Sequence, residues 1–357
     1  MEQLKDNIEY MNEVKWGIIG PGQIAHRFAD GLKEAPSGEL IAIASRTQDR
    51  RSSFGDKYNI DSALRFENYD EIIQSSEVDA IYISTPHTLH ADWSIKAANK
   101  GIHVLCEKPG AINYIEGKRV IDAVKSANVF YMEGFMYRCH PQIAKLISLI
   151  KENIIGDVTS IEASFGFDTG KTYPDSRLFN IHLAGGSILD VGVYPISFSR
   201  LIAGIVSGKK FLNPHKIKGT AIIGETNVDE ISYATLYFDN DIIAEASAAI
   251  RKNMDDVAIV KGTRGFISLT NPWTPGKDGG PYKSSIIINI EGHHEIMETE
   301  VQEHLFALEA EVASKAIIEK RNEALSPAMT WDDTLGNLET LDIWRKEVGY
   351  KFPQEIN

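Results

Sequence analysis

The stretch from Val14 to Ala25, VKWGIIGPGQIA, constrains the fold of this chain more than any other. A short apolar run ends in glycine, and a helical pattern begins within a few residues. Ile24, Phe28 and Leu32 recur every four positions until Pro36 and Gly38 stop them. The pattern then repeats. Strand-like runs at Glu39–Ala44 (ELIAIA), Ala80–Ser84 (AIYIS) and Ile102–Cys106 (IHVLC) alternate with the helix-like segments SRTQDRRSSFGDKYNI and ADWSIKAANKG. Such alternation predicts a doubly wound parallel sheet with helices on both faces, whose ligands sit beyond the carboxyl ends of the strands.

Within that frame, Gly20-Pro21-Gly22-Gln23-Ile24-Ala25 fits the pattern G-x-G-x-x-G/A. Gly20 permits a tight turn and Gly22 lets a pyrophosphate approach the backbone. Gln23 and Ile24 open a helix whose free N–H groups favour an anion. A lone hexapeptide of this kind is also an ordinary strand-to-helix turn; its place in the β–α alternation supports the nucleotide reading. The end of the second strand bears on cofactor choice. An NAD site usually has Asp or Glu there to bind the ribose hydroxyls. Here Ser45 and Arg46 follow the strand, with Arg50 four residues on, and no carboxylate occupies the strand end. Paired guanidinium groups suit a 2′-phosphate, so NADP is expected, with NAD as the alternative.

The third long strand runs into Thr85, Pro86, His87 and His90, candidates for cofactor contacts at the carboxyl edge. His87 and His90 lack a third ligand at useful spacing, and His293 and His294 would point to opposite faces of a strand, so no metal is expected. The fourth strand ends in Glu107-Lys108-Pro109. That placement puts Glu107 and Lys108 at the same edge as the glycine turn, beside the expected nicotinamide.

Downstream, GGSILDVGVYPISFSR starts a helical pattern near Ser187, a plausible N-cap. Asp190 and Tyr194 are four apart and share a face, and Pro195 predicts a kink. Lys108, Asp190 and Tyr194 together form a set able to move a proton while a hydride moves. A free tyrosine titrates at about 10 and a lysine at about 10.4. An adjacent ammonium would favour the phenolate and desolvation would lower the lysine, so proximity can bring either Tyr194 or Lys108 into working range.

After residue 133, segments such as VTSIEASFGF, ISYATLYF, IIAEASAAI and SSIIINI are β-rich and separated by turn residues. They predict an α+β domain on a large, mostly antiparallel sheet, closed by helical patterns near 302–321 and 331–348. The chain of 357 residues thus divides into an N-terminal extension (1–13), a dinucleotide-binding domain (14–132) and a second domain (133–357). The net charge of −13 speaks against a nucleic-acid partner. Two cysteines, no long apolar run and a polar start lead to the expectation of a cytoplasmic protein without a membrane segment.

VKWGIIGPGQIA, STPHTLH, CEKPGAIN, EGFMYRCHPQ and GGSILDVGVYPI, in this order, resemble the Gfo/Idh/MocA oxidoreductases over most of the chain from Val14. Tyr194 with EGFMYRCHPQ is most similar to the branch of dimeric dihydrodiol dehydrogenases and NADP-dependent xylose dehydrogenases. The resemblance implies a Rossmann domain, catalytic Lys108, Asp190 and Tyr194, and Glu133 and Arg138 near the cofactor. Phe167 and Arg177 fall in the loop region expected to hold substrate, with Phe165 and Tyr173 nearby. The expected activity is hydride transfer between NADP and a hydroxyl-bearing carbon of a sugar, cyclic polyol or diol. Two alternatives are a shuttling oxidoreductase with tightly bound NADP and a catalytically silent nucleotide sensor. The open sheet predicts a homodimer, or a dimer of dimers.

Overall fold

Strand β1 (Val14–Ile19) buries every side chain except Lys15, so it has to lie inside a sheet covered on both faces. The computed structural model describes residues 13–239 and 241–355; of the expected N-terminal extension, residues 1–12 lie outside the described residues. Helix α1 (Gln23–Leu32) follows β1 through the glycine turn, burying Ala25, Phe28, Ala29 and Leu32. Then come β2 (Gly38–Ala44), α2 (Gln48–Lys57), β3 (Arg65–Phe66), α3 (Tyr69–Ile72), β4 (Ala80–Ile83) and α4 (His90–Asn99). The half closes with β5 (His103–Glu107), α5 (Tyr114–Ala127) and β6 (Tyr131–Gly134). The strand order is β3-β2-β1-β4-β5-β6, all parallel. The order reverses between β1 and β4, and a crevice opens at such a switch point.

The second sheet contains β7 (Val158–Gly166), β8 (Lys216–Ile223), β9 (Asp229–Tyr237), β10 (Ile243–Ala249), β11 (Val257–Gly262), β12 (Gly265–Leu269), β13 (Tyr282–Ile290) and β14 (His293–Val301). Its order is β14-β13-β12-β11-β7-β10-β9-β8, antiparallel except for the β7–β10 pair. Side chains alternate across it. Ile161, Ala163, Ala244, Ala246 and Val260 are buried on one face, whereas Tyr233 and Ile243 are exposed on the other. The buried face lies against α7 (Val193–Val206), with α6 (Pro141–Lys151) beside it. Every residue of α7 from Val193 to Gly204 is buried. With the turns before it, this stretch (Ile181–Val206) is long and apolar enough to cross a membrane, but its most apolar window is 94% buried in the fold. Here the apolar length serves the core.

Two helices at the end, α8 (Leu305–Ile318) and α9 (Trp331–Glu347), serve both halves. On α8, the backbone at Phe306–Ala307 lies so close to Gly31 of α1 that no β-carbon would fit there. Trp16 Nε1 on β1 donates to Ser314 Oγ of α8 at 2.9 Å. Leu338 of α9 likewise fills the space beside Gly117 of α5. The boundary expected between residues 132 and 133 falls inside β6.

Candidate active site

Beyond the carboxyl ends of β1, β2, β4 and β5 lies a cleft of about 620 Å³ reaching from the glycine turn to Tyr194. Gly20 has φ +89°, and a β-carbon there would press on Ser84 O and the Thr85 side chain. Gly22 has open space where a β-carbon would be, and α1 starts with neither a capping side chain nor an acidic residue in its first turn. These groups fit a dinucleotide's diphosphate, since the helix offers unclaimed N–H donors to an unobstructed space. Thr85 Oγ1, buried on the same wall, has no hydrogen-bond partner among the described residues and fits a polar ligand too.

At the β2 end, Ser45, Arg46 and Arg50 line the cleft. Arg51 turns away, donating to Ser45 O at 2.9 Å and pairing with Glu67 at 2.9 Å. The Arg46 guanidinium sits 5.8 Å from the Tyr69 ring centroid, cation over π face. Tyr69 had no signal in the sequence, because α3 is four residues long and carries no motif. The carboxylates lining the cleft, Glu107 and Asp190, belong to its other end.

At that other end Lys108 Nζ donates to the main-chain carbonyl of Asp190 at 2.6 Å and stands 3.6 Å from Asp190 Oδ1. Arg177 takes the same Oδ1 at 2.6 Å. Burial would raise the Asp190 pKa, but Arg177 and then Lys108 hold it well below the usual carboxylate range. The Lys108–Pro109 peptide is cis. His90 faces the carbonyls of Pro109 and Thr85, at 2.7 and 2.8 Å, tying the β4 and β5 turns together. Burial lowers its pKa. The His87 ring is 3.1 Å from Ala184 O through Nδ1, so Nδ1 donates, and burial keeps this ring neutral.

Tyr194 lies in an aromatic box, its ring centroid 5.3 Å from Phe165, 5.5 Å from Phe135 and 5.9 Å from Trp273. Its hydroxyl is 3.5 Å from Met136 Sδ. The expected lowering of its pKa does not occur in this structure. Lys108 Nζ stands over the ring, 5.2 Å from its centroid, rather than at the hydroxyl. Burial, followed by the charges of Glu107 and Asp190, pushes the phenol well above its ordinary value.

Local chain geometry also differs from expectation. Residues Ile188–Gly192 form a π turn leading into α7, and Ser187 does not cap it. The Ser187 hydroxyl instead donates to Asp229 Oδ2 at 2.7 Å. The wider turn still delivers Asp190 and Tyr194 to one wall. Glu133 and Arg138 are not brought to the cleft. Glu133 Oε1 accepts from Gly110 N at 2.8 Å, and burial raises its pKa to about 7. Arg138 is buried against Asp333 at 2.6 Å and Ser197 Oγ at 2.8 Å. Both occupy the core because β6 ends under α8 and α9. Phe167, Arg177, Glu107, Gln23, Ile24 and Pro86 do line the cleft, as do the unforeseen Arg27, Met136 and Thr274. Among the described residues there is no group of three or more His, Cys, Asp or Glu arranged for a metal.

Residues 14–135 match the Gfo/Idh/MocA oxidoreductase family with its NAD-binding Rossmann fold, and 143–268 match that family's C-terminal domain. The chain belongs to the Gfo/Idh/MocA family. A trans-1,2-dihydrobenzene-1,2-diol dehydrogenase of Mus musculus is 31% identical over 264 residues, 73% of this chain and 76% of its own length. In fold, an aldose-aldose oxidoreductase from Caulobacter crescentus complexed with glycerol superimposes with a TM-score of 0.82. It is 24% identical and covers 94% of this chain and 98% of its own. A 3-ketoreductase from Actinomadura kijaniata in complex with NADP and TDP-benzene gives 0.81 at 24% identity over the same shares. Membership gives the activity class, an NAD(P)-dependent oxidoreductase.

Proposed function

We propose that this Gfo/Idh/MocA enzyme is an NADP-preferring dehydrogenase of a secondary or anomeric hydroxyl on a sugar, cyclic polyol or diol. The observation that carries the reading is the meeting of Lys108, Asp190 and Tyr194 on one wall of the cleft that begins at the glycine turn. The N–H groups of the α1 start would hold the diphosphate, and Arg46 and Arg50 the 2′-phosphate. The bound nicotinamide supplies the hydride acceptor or donor. Tyr194 handles the proton: in reduction its O–H gives a proton to the carbonyl oxygen as the hydride arrives, and oxidation is the reverse of that step, which requires Tyr194 to lose its proton first. The Lys108 ammonium stands over the ring, 5.2 Å from its centroid, and would reach the phenolate left behind in reduction only by moving to the hydroxyl. Asp190 fixes Lys108 through its carbonyl and Arg177 through its carboxylate, while Phe167 and Arg177 border the substrate.

The testing experiment is a screen of aldoses, inositols, anhydro-sugars and diols with NADP⁺ and NAD⁺, followed by nicotinamide absorbance. Turnover of one class with NADP⁺ supports the reading. Binding of NADP⁺ without turnover of any of them favours a nucleotide sensor. Nucleotide that survives prolonged dialysis would instead select a shuttling enzyme with retained cofactor.

The same reading includes a homodimer through the open face of the second sheet, where Tyr233, Ile243 and Ile296 are 38%, 42% and 64% exposed. A monomeric mass by light scattering would count against it. It also includes a cytoplasmic location, supported by the free thiols of Cys106 and Cys139 and checked by cell fractionation.

A further inference from the structure

Residues 273–282 leave the second sheet, run to the first domain and return. The start of this segment is firmly held. Trp273 is fully buried, and its Nε1 donates to Ser164 O at 2.8 Å. Its ring lies edge-on to Tyr137 and Phe198 and beside Tyr194. Asn271 O accepts from Gln142 Nε2 at 3.1 Å, and Asn271 Nδ2 reaches Tyr282 OH at 3.0 Å, joining the two ends of the segment. The far end is held as well. Leu305 N donates to Gly276 O at 3.2 Å, and Gly280 lies so close to Gln302 O that no side chain would fit.

Between Trp273 and Gly280 the chain turns on glycines, with Gly276 O held midway by Leu305 N. Gly276 has φ +72° and Gly279 φ +117°, values that favour glycine over any residue with a side chain. Thr274 lines the cleft. At the tip, one guanidinium nitrogen of Arg27 donates to Lys277 O and to Asp278 Oδ1, the latter at 2.6 Å. Arg27 itself lines the cleft, one helical turn after Gln23 on α1. The segment therefore crosses from an aromatic anchor beside the reactive tyrosine to the helix that starts at the glycine turn.

We infer that residues 274–279 form a strap retaining the nicotinamide cofactor, and that the Arg27–Asp278 contact is its latch and sets the rate of cofactor release. This rests on the dehydrogenase reading of the cleft. The latch is an exposed ion pair with one charge-assisted bond to a carbonyl, a class of contact worth little at a surface. It gates exchange without making the cofactor permanent. In a dehydrogenase that trades cofactor each cycle, such a contact places the strap in the step of product release.

The experiment measures NADPH release from the full chain by stopped flow, with excess NADP⁺ displacing bound NADPH and its fluorescence as the signal. Asp278→Ala is expected to speed release by roughly threefold to fivefold, the scale of one exposed ion pair. Asp278→Asn, which keeps the size and removes the charge, is expected to do nearly the same. The double variant Arg27→Cys with Asp278→Cys, loaded with NADPH and then oxidised, is expected to hold the nucleotide through gel filtration and free it on reduction. Release rates equal to wild type in the single variants, with free loss from the oxidised double variant, overturn the strap. Wild-type protein that binds neither NADPH nor NADH overturns the dehydrogenase reading itself, so the two failures are distinct.

Discussion

Lys108 is bound to the backbone of Asp190, not to its carboxylate: Nζ donates to the carbonyl at 2.6 Å, while Arg177 occupies Oδ1 at the same distance. This division leaves Lys108 only a longer ion pair with Asp190 Oδ1, at 3.6 Å, and keeps the ammonium close to the Tyr194 ring. Arg177→Met should remove the stronger claimant and let the Asp190 carboxylate draw Lys108 across the remaining 3.6 Å. It should also raise the Asp190 pKa, because Arg177 is the foremost of the charges that depress it. The acid limb of the kcat/KM profile is then expected to move to higher pH, since a group with a raised pKa loses its charge earlier as pH falls. NADPH affinity should stay constant. An unshifted limb would show that Asp190 does not govern Lys108.

Tyr194→Phe removes one oxygen and keeps the ring that Phe135, Phe165 and Trp273 surround. The aromatic box should be preserved and the proton route lost. A fall in kcat of about 10²–10⁴ with little change in NADPH affinity is expected, the scale of a lost general acid–base group. A variant as fast as wild type would take tyrosine out of the mechanism.

The division between readable and unreadable parts of this site follows from range. The glycine turn, Arg46, Lys108 and the Asp190–Tyr194 pair were legible because short segments fix them: a strand end, a helix start, a four-residue spacing. Arg27, Thr274 and Tyr69 were not, because they reach the cleft through tertiary packing that leaves no local pattern. Glu133 and Arg138 were expected near the cofactor from the family resemblance alone, and in this structure neither lines the cleft. β6 delivers them beneath α8 and α9, where Asp333 claims Arg138. The two-residue β3 and the π turn at Ile188–Gly192 also leave too little periodicity to be read. The tyrosine pKa followed neither from spacing nor from the presence of a lysine, because burial and the charges of Glu107 and Asp190 raise it.

Arg46→Ala tests cofactor choice. Arg46 and Arg50 stand at the β2 end, and the cleft's carboxylates lie at its opposite end. A charge-assisted bond to a 2′-phosphate contributes about 1.5–3 kcal/mol, so NADP affinity should drop by roughly 10- to 100-fold. NAD affinity should move far less, because it lacks that phosphate. Equal losses for both, measured by fluorescence titration, would contradict the 2′-phosphate assignment.

Glu309 is a buried acid without a hydrogen-bond partner: it is fully buried on α8, and neither carboxyl oxygen has one among the described residues. Burial first, and the charge of Glu107 second, raise its pKa well above the ordinary value. Glu107 is itself buried, accepts from Tyr82 OH and has a raised pKa, chiefly from burial. Two carboxyls so placed do not both ionise readily. An acid whose pKa is raised in the folded state keeps its proton there while the unfolded chain has lost it, so stability falls as pH climbs from the ordinary glutamate value towards the folded one. Glu309→Leu removes that penalty and leaves Glu107 in place. Its midpoint of thermal unfolding should exceed that of wild type, and the gap should widen as pH rises above the ordinary glutamate value. A gap that narrows over this range would mean that Glu309 is ionised in the folded protein and held by a partner.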